Sequence, residues 1–413
     1  MRNAIIAVGA TMLLGCTIDN GSTEPGTPVT ITWAPCINDI GAPGWMAVKD
    51  GDGAWTRIVQ TNGVYTFTVR SGRVGMATYN GSSSTLTINY TTTAEADSSK
   101  PNCAGALRNV TGTITGFSTL DDINIQPGQA FVPGTSAQPA SFTLTDVTPS
   151  AFDVLTVRSR DNVSGSVLIR APSAVFIRRA QTSSSLAAID LNGSESGAPQ
   201  SKTLTVQNTA AGEDMSINTS LNTMNGAIDM SQYSTTVGAG GGAVTATFYG
   251  LPATRLTTGE VQTIDVANSI SVNSTTTNFR FATLTFTDIA DKTVTLGPIL
   301  GAVSVGTSAR PSLTYSIQAG YDQTFDVLYQ QGSGVATRNI DMAATRGYIG
   351  ASATSVTLAI PDLSGLSGFQ TSWLLSVGAT AHYSFVAEGA TYSITQRNNQ
   401  NYTAAARVST FIP

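Results

Sequence analysis

Apolar and polar side chains alternate along most of this chain. In the run 65–69, Tyr65, Phe67 and Val69 are separated by threonines, and the run 86–90 repeats the spacing. A period of two places successive side chains on opposite faces of a β-strand. Similar runs continue to the C-terminus between clusters of turn residues, and no stretch carries a sustained helical stripe. The pattern predicts an all-β protein of tandem antiparallel β-sandwich domains.

Composition supports the same fold class. The chain is rich in Ser, Thr, Gly, Ala and Val, which suit strands and turns better than helices. Charged residues make up only 11% of its 413 residues, and the net charge is −5. Because no basic segment is concentrated enough to hold a phosphate backbone, we expect no nucleic-acid partner.

Polar stretches without periodicity divide the chain into regions. Residues 95–102 and 301–311 are such stretches, and both read as linkers. A chain of this length is expected to hold several domains. The expected organisation is a signal peptide at 1–15, a lipidated cysteine and tether at 16–28, and four β-sandwiches at 29–96, 104–183, 185–300 and 311–413.

The N-terminus has the order of an export signal. A basic start precedes the apolar run Ala4–Leu14, which ends in Gly15 and Cys16. Residues 13–16 resemble the lipobox of bacterial lipoproteins. The resemblance implies that Cys16 is acylated, as with palmitate, and anchors the mature chain in the cell envelope. Thr17 follows where many inner-membrane lipoproteins have aspartate, which favours the outer membrane, on its periplasmic or surface face. An ordinary cleaved signal is the alternative.

Two further cysteines, Cys36 and Cys103, remain in the exported chain. In an oxidising compartment such a pair is expected to form a disulfide. Two buried free thiols are the alternative, since the pairing depends on a geometry that sequence does not give.

A second resemblance covers one strand. Residues 110–116 alternate apolar side chains with threonine and glycine. This stretch is similar to the first strand of carboxypeptidase-regulatory-like or transthyretin-like sandwiches. The resemblance implies Ig-like or transthyretin-like domains.

Large aromatic side chains are the candidate ligand-binding residues. Trp45 and Trp55 flank a turn and could form a platform for a sugar ring, although a buried pair is the commoner arrangement. Trp373 and Tyr383 belong to an aromatic-rich C-terminal region that we expect to lie farthest from the anchor. Alternation requires some of these rings to lie in the core, so only the exposed ones could bind.

The turn between the first two tryptophans contains Asp50 and Asp52. Their spacing matches the start of an EF-hand calcium loop, but Ala54 and Thr61 stand where oxygen ligands are required. Asp-Gly pairs favour a tight hairpin instead, and we expect no metal site.

Arginines concentrate in the second region, at positions 158, 160, 170, 178 and 179. Since acidic residues lie among them, a solvated strand face is favoured over an anion site. In the third region, the aromatic phase shifts within 279–286, which suggests a β-bulge or a strand that switches sheets.

Catalytic motifs are scarce. His382 is the only histidine and lies in a strand-like run without a Gly-x-Ser-x-Gly elbow, so we expect a structural role. No cofactor motif is present. The favoured function is therefore a non-enzymatic, lipid-anchored envelope protein with a structural, adhesive or ligand-binding role and a glycan or protein partner. The alternative is a glycan-active enzyme that uses paired carboxylates.

Overall fold

The structure is a computed structural model that describes residues 16–18, 29–33, 44–62, 64–95, 107–128, 130–165, 167–333, 337–390 and 401–413, with backbone alone for 16–18, 32 and 33. In this part of the chain β-strands dominate, which confirms the all-β prediction. Helical elements are short and include α1 (Arg346–Ile349) and 3-10 helices at Ala253–Arg255 and Thr371–Trp373. No described helix has the length and apolar character needed to cross a membrane.

The strands form four groups along the chain. The first is β1 (Cys16–Ile18), β2 (Val29–Trp33), β3 (Trp45–Asp50), β4 (Thr56–Ile58), β5 (Tyr65–Val69), β6 (Arg73–Asn80) and β7 (Thr85–Thr92). The second is β8 (Arg108–Thr115), β9 (Asp122–Gln126), β10 (Ala130–Pro133), β11 (Ala140–Val147), β12 (Phe152–Ser164), β13 (Val167–Gln181), β14 (Ile189–Asp190) and β15 (Ser196–Gly197). The third is β16 (Gln200–Thr209), β17 (Asp214–Thr223), β18 (Gly226–Thr236), β19 (Gly242–Gly250), β20 (Val261–Ser271), β21 (Thr277–Phe286) and β22 (Lys292–Thr295). The fourth is β23 (Val303–Val305), β24 (Ser312–Ser316), β25 (Thr324–Gln331), β26 (Arg338–Thr345), β27 (Ser355–Ala359), β28 (Ala381–Glu388) and β29 (Tyr402–Phe411).

One hydrogen-bonded sheet, which we call the main sheet, runs through all four groups. Its strands pair in the order β10, β9, β12, β13, β18, β17, β20, β21, β29, β28, β25, β26, β7, β6, β3 and β4. These pairings are antiparallel except that of β26 with β7, which is parallel. Backbone hydrogen bonds therefore join the four groups directly.

A three-stranded sheet covers the main sheet in each group. These small sheets have the orders β1-β2-β5, β11-β8-β14, β19-β16-β22 and β23-β24-β27. In the third group, Leu204 of the small sheet packs with Ile217 and Ile264 of the main sheet in one buried cluster. Such a shared apolar interior is the defining feature of a β-sandwich.

The outward faces of the small sheets are rows of hydroxyl side chains. Thr205 pairs with Thr245 on one side and Thr293 on the other. In the second group Thr111 pairs with Thr143. Because threonine has a high strand propensity and a polar tip, it fills solvent-facing positions with little charge. These rows account for the high threonine and low charge content of the chain.

The first and fourth groups share one apolar core. Leu86 and Ile88 of β7 lie beside Ile340 and Met342 of β26, and all four are fully buried in the same cluster. The predicted sandwiches at 29–96 and 311–413 are therefore not separate bodies. The C-terminal region packs on the N-terminal region instead of lying farthest from it.

Several predicted boundaries also move. Leu186, Ile189 and Leu191 belong to the core of the second group, so that group extends past residue 183. The predicted linker 301–311 contains β23, which pairs with β24. The start of the predicted tether is β1, whose backbone pairs with β2. Residues 1–15 and the predicted disulfide cysteines, Cys36 and Cys103, lie outside the described residues.

The turn after Asp50 is a hairpin, as expected, because β3 pairs antiparallel with β4 around it. The Asp50 carboxylate accepts hydrogen bonds from the backbone N–H groups of Arg70 and Ser71, both at 2.9 Å. Asp52 pairs with Arg73 at 2.6 Å. Both carboxylates therefore hold neighbouring strands at this end of the first group.

The main sheet turns a corner between the second and third groups. Here β13 pairs with β18 only at Leu168–Arg170. In the strand order β13 separates β12 from β18. Leu155 of β12 and Met230 of β18 nevertheless belong to one buried cluster, because the sheet bends at this point. A bidentate ion pair between Arg179 and Glu260, with two N···O distances of 2.7 Å, ties the same two groups. The corner thus brings β9 close to β18.

Candidate functional site

A groove lined by both polar and apolar side chains lies at this corner, on the side of the main sheet away from the third-group core. It consists of two adjoining cavities of about 610 and 340 Å³. Both are lined by Gln126, Asn218, Ile228 and Asp229, which join them into one depression. We call this depression the central groove. Clefts with several convergent polar groups are the usual place for a ligand.

Strand register builds the floor of the larger cavity. Asn218, Asp265, Thr283 and Tyr402 occupy paired positions on β17, β20, β21 and β29. Ile217, the neighbour of Asn218, points into the third-group core. Because side chains alternate, the row that begins with Asn218 faces the groove.

A second row runs parallel to the first. Ala267, Phe281, Ala404 and Glu388 occupy paired positions on β20, β21, β29 and β28, and all four line the larger cavity. Phe281 is half-buried and has alanine on both neighbouring strands. Its ring stacks on that of Phe279 at 6.2 Å.

Two carboxylates set the electrostatics of the groove. Asp265 accepts hydrogen bonds from the hydroxyls of Thr283, at 2.6 Å, and Thr263, at 3.4 Å. The pKa of Asp265 is nevertheless raised, because burial and then the nearby negative charge of Asp229 disfavour its ionised form. Asp229 is exposed and accepts a hydrogen bond from the Ser220 hydroxyl at 2.7 Å.

The smaller cavity contains a polar atom without a partner. Ser159 lines it and is fully buried, yet its hydroxyl has no hydrogen-bond partner among the described residues. Arg170 also lines this cavity, and its guanidinium is held by Asp161 at 2.8 and 3.0 Å. A buried hydroxyl is normally hydrogen-bonded, so Ser159 is an exception, and it is one of several buried polar atoms among the described residues that lack a partner.

The predicted aromatic platform is mostly core. Trp45, Trp373 and Tyr383 are buried, with 3%, 8% and 7% of their surface exposed, so these candidate rings lie in the core and do not present a face to a ligand. Trp373 stacks on Tyr79 at 3.9 Å and meets Trp45 edge-on at 5.6 Å. Trp55 is half-buried and packs edge-on against a neighbouring tyrosine. The physical reason is the core shared by the first and fourth groups.

The arginine-rich segment is charge-balanced. Four of its five guanidinium groups form ion pairs, namely Arg160 with Asp121, Arg170 with Asp161, Arg178 with Glu195 and Arg179 with Glu260. The fifth, Arg158, donates to the Ser173 hydroxyl at 2.9 Å and to Asn192 at 3.1 Å. Each of these guanidinium groups thus has an internal partner, and Arg158 and Arg160 line a separate open cavity of about 890 Å³ together with Asp121 and Asp190.

His382 is exposed on β28 and pairs in register with Gln330 and Thr410. It does not line the central groove. Among the described residues, no three or more His, Cys, Asp or Glu side chains are close enough together to hold a metal ion. The groove residues therefore offer hydrogen bonding, ring stacking and negative charge.

The central groove could not be found from local motifs, although one signal was present. The shifted aromatic phase within 279–286 does not come from a bulge, because β21 pairs with β20 in unbroken register. Phe279 and Phe281 lie on the groove side, whereas Phe286 enters the core. The aromatic side chains of this strand thus lie on both of its faces, some in the core and some on the groove side.

Comparisons with known proteins give no family. No family model and no curated protein matches the chain. One solved structure that is similar to it is described as "Ca2+-stabilized adhesin helps an Antarctic bacterium reach out and bind ice". The identity is 11%, and the match covers 96% of this chain and 98% of that chain with a TM-score of 0.15. A TM-score this low establishes neither a shared architecture nor a shared function.

Proposed function

We propose that this chain is a lipid-anchored envelope protein that binds a glycan in the central groove. The observation that carries the proposal is the joining of two cavities at one corner of the main sheet, with several polar side chains in their lining. The lipobox-like sequence before Cys16 supports the anchor and the envelope location.

The chemistry of the lining suits a ligand rich in hydroxyl groups. Gln126, Asn218 and Asn222 each offer both an amide donor and a carbonyl acceptor. A sugar hydroxyl can also donate or accept a hydrogen bond, so each amide can bind it either through its N–H donor or through its carbonyl acceptor. Asp265 and Asp229 add acceptors, and Phe281 offers an apolar ring face for the C–H side of a sugar.

The length of the groove suits a short oligosaccharide. From β17 to β28 the lining crosses four strand spacings, through β20, β21 and β29. At about 4.8 Å per spacing this is roughly 19 Å. A stacking contact adds about 1 kcal/mol, so we expect affinity to be modest and to depend on several residues together.

Hydrolysis of the bound glycan is the second candidate function. The observation in its favour is that Asp265 and Asp229 share the groove but not the same environment, since Asp265 is largely buried with a raised pKa and Asp229 is exposed. Two carboxyl groups in different environments suit an acid and a base. If the groove is catalytic, Asp265→Asn should abolish release of reducing ends and leave glycan binding in place.

A glycan array probed with the mature chain, carrying Cys16→Ala so that it stays in solution, tests the binding proposal. The groove variant Gln126→Ala/Asn218→Ala is expected to lose at least tenfold in affinity for every bound glycan. Gln207→Ala, on the outward face of a small sheet, is the matched control and should bind as the parent does. Absence of binding by the parent, or equal losses in both variants, would contradict the proposal.

The anchor is tested separately. Metabolic labelling with a fatty-acid analogue should mark the parent chain and leave Cys16→Ala unlabelled and released from membranes. Equal labelling of both chains would rule out acylation at Cys16.

A further inference from the structure

The ligand class of the central groove can be narrowed from its charges. The described lining of the larger cavity includes Asp229, Asp265 and Glu388 and no Lys, Arg or His. The described lining of the smaller cavity adds one cation, Arg170, whose guanidinium makes two hydrogen bonds to Asp161 and is also attracted to Asp229. The described lining therefore has an excess of negative charge.

The positions of Asp229 and Asp265 suit the binding of a cation. In the strand register, Asp229 of β18 lies opposite Ser220 of β17, and Asp265 of β20 lies opposite Asn218 of β17. Ser220 and Asn218 are two residues apart on β17. The two carboxylates therefore flank β17, one on each neighbouring strand. Their mutual repulsion contributes to the raised pKa of Asp265. A cation between them would relieve that repulsion and gain charge-assisted hydrogen bonds.

A second feature lies in the adjoining smaller cavity. The fully buried Ser159 hydroxyl, unpartnered among the described residues, lines the cavity to which Asp229 also belongs. The groove thus combines negative charge with an unsatisfied neutral site.

We infer that the glycan carries a free primary ammonium group, as in a deacetylated amino sugar, held between Asp229 and Asp265. This inference rests on the glycan-binding function proposed above. The carboxylates would repel a uronic acid, and a neutral sugar would add no positive charge beside them. An ammonium presents three donors, enough for both carboxylates and the Asn218 carbonyl.

Calorimetric titration of the mature Cys16→Ala chain with three tetrasaccharides tests the inference. The probes are a glucosamine tetramer, its N-acetylated form and a galacturonic acid tetramer. The glucosamine tetramer should bind at least tenfold more tightly than the N-acetylated form, and its affinity should fall as NaCl is raised, because salt screens the ion pairs. The acidic tetramer should not bind.

Variants of the protein give the second arm. Asp229→Asn and Asp265→Asn should each weaken glucosamine binding about tenfold and change N-acetylated binding little. Asp288→Asn, which makes the same charge change on an exposed turn that pairs with Lys292, is the matched control. Thermal melts would check that each variant is folded, and acetylating the ligand tests the same charge without altering the protein.

The outcomes separate the two proposals. If the N-acetylated tetramer binds as tightly as the amine, or if both aspartate variants bind the amine normally, the ammonium inference is overturned while glycan binding stands. If no tetrasaccharide and no arrayed glycan binds, both proposals fail.

Discussion

Arg280 shows how a single residue departs from the strand pattern. It lies on the core face of β21, where alternation would place an apolar side chain, and only 3% of its side chain is exposed. Its guanidinium pairs with Glu213 at 2.5 Å and donates to the carbonyls of Asn208 and Gly297, both at 2.8 Å. Glu213 also accepts from the Asn268 amide at 2.9 Å. Each charge is thus fully surrounded by partners.

Arg280→Gln is expected to destabilise the protein by about 3–5 kcal/mol, because Glu213 would keep a buried charge without a counter-charge. Urea denaturation measures the change. Arg170→Gln is the matched control: its pair with Asp161 is about one-third exposed on both sides, so the cost should stay within about 1 kcal/mol. Equal effects of the two variants would show that the buried pair is not a structural anchor.

The groove carboxylate Asp265 gives a pH test. Its raised folded pKa means that the folded state holds the proton more tightly than the unfolded state does. The resulting loss of stability is absent below the unfolded pKa of about 3.9, grows as the pH rises from there to the folded pKa, and stays constant above it. Asp265→Asn should therefore raise stability relative to the parent at pH 7, and this gain should vanish near pH 3.

Asp121 should show the opposite sign. Burial alone would raise its pKa, but hydrogen bonds from Arg160 and Ser118 outweigh that effect and lower the pKa. Asp121→Asn should therefore cost stability at pH 7 and cost less at acidic pH, as the carboxylate of the parent is protonated. Urea titrations of both variants at two pH values measure the signs. A gain for Asp121→Asn at pH 7, or none for Asp265→Asn, would contradict the electrostatics described here.

At the scale of elements, the parallel pairing of β7 with β26 joins the first and fourth groups of strands. Trp45 of β3 extends this contact by donating its indole N–H to the Ser367 carbonyl at 3.1 Å. Trp373 and Phe369 pack edge-on against the same indole, at 5.6 and 5.7 Å. Packing of these rings in the core therefore connects the first and fourth groups.

Trp373→Ala is expected to lower stability by about 3–5 kcal/mol, through lost burial and the cavity it leaves. Because its ring packs on Trp45, hydrogen exchange should also speed up in β3, more than three hundred residues away in sequence. Trp55→Ala, at a half-buried position, should have a smaller effect. Unchanged protection of β3 in Trp373→Ala would mean that the first group is stable independently of the fourth.

The alternation of apolar and polar residues made it possible to predict the strands, but it did not specify which strands pair with each other. The run around Ile88 is recognisable as a strand because its apolar side chains recur every second residue. Nothing local in that run specifies Met342 as its neighbour, since alternation selects a buried face and not a partner strand. The burial of Trp45 and Trp373 follows from that long-range pairing, so the sequence could not separate core rings from binding rings.

For the whole molecule, the main sheet makes the four groups interdependent. The last group shares its core with Leu86 and Ile88 and continues the main sheet through the pairing of β29 with β21. A fragment of residues 305–413 is therefore expected to lack a cooperative unfolding transition and near-ultraviolet circular dichroism. A cooperative transition of that fragment alone would contradict the shared core.

The candidate site could not be predicted from the sequence either, because it also depends on which strands pair. Its lining comes from strands between Gln126 and Ala404 and consists mostly of polar residues that alternate with core positions. In sequence such residues are indistinguishable from a solvated strand face. Only the corner between β13 and β18 converts them into a groove.

The most direct test of glycan binding is to block the central groove. In the Cys16→Ala chain, Asn218→Cys introduces a thiol on its floor, and Thr205→Cys introduces one on the outward face of a small sheet. Both variants are labelled with a bulky maleimide, and binding of the glucosamine tetramer is measured before and after labelling. Labelling at position 218 should abolish binding while labelling at position 205 leaves it intact. Undiminished binding by the variant labelled at position 218 would contradict the assignment of this groove as the ligand site.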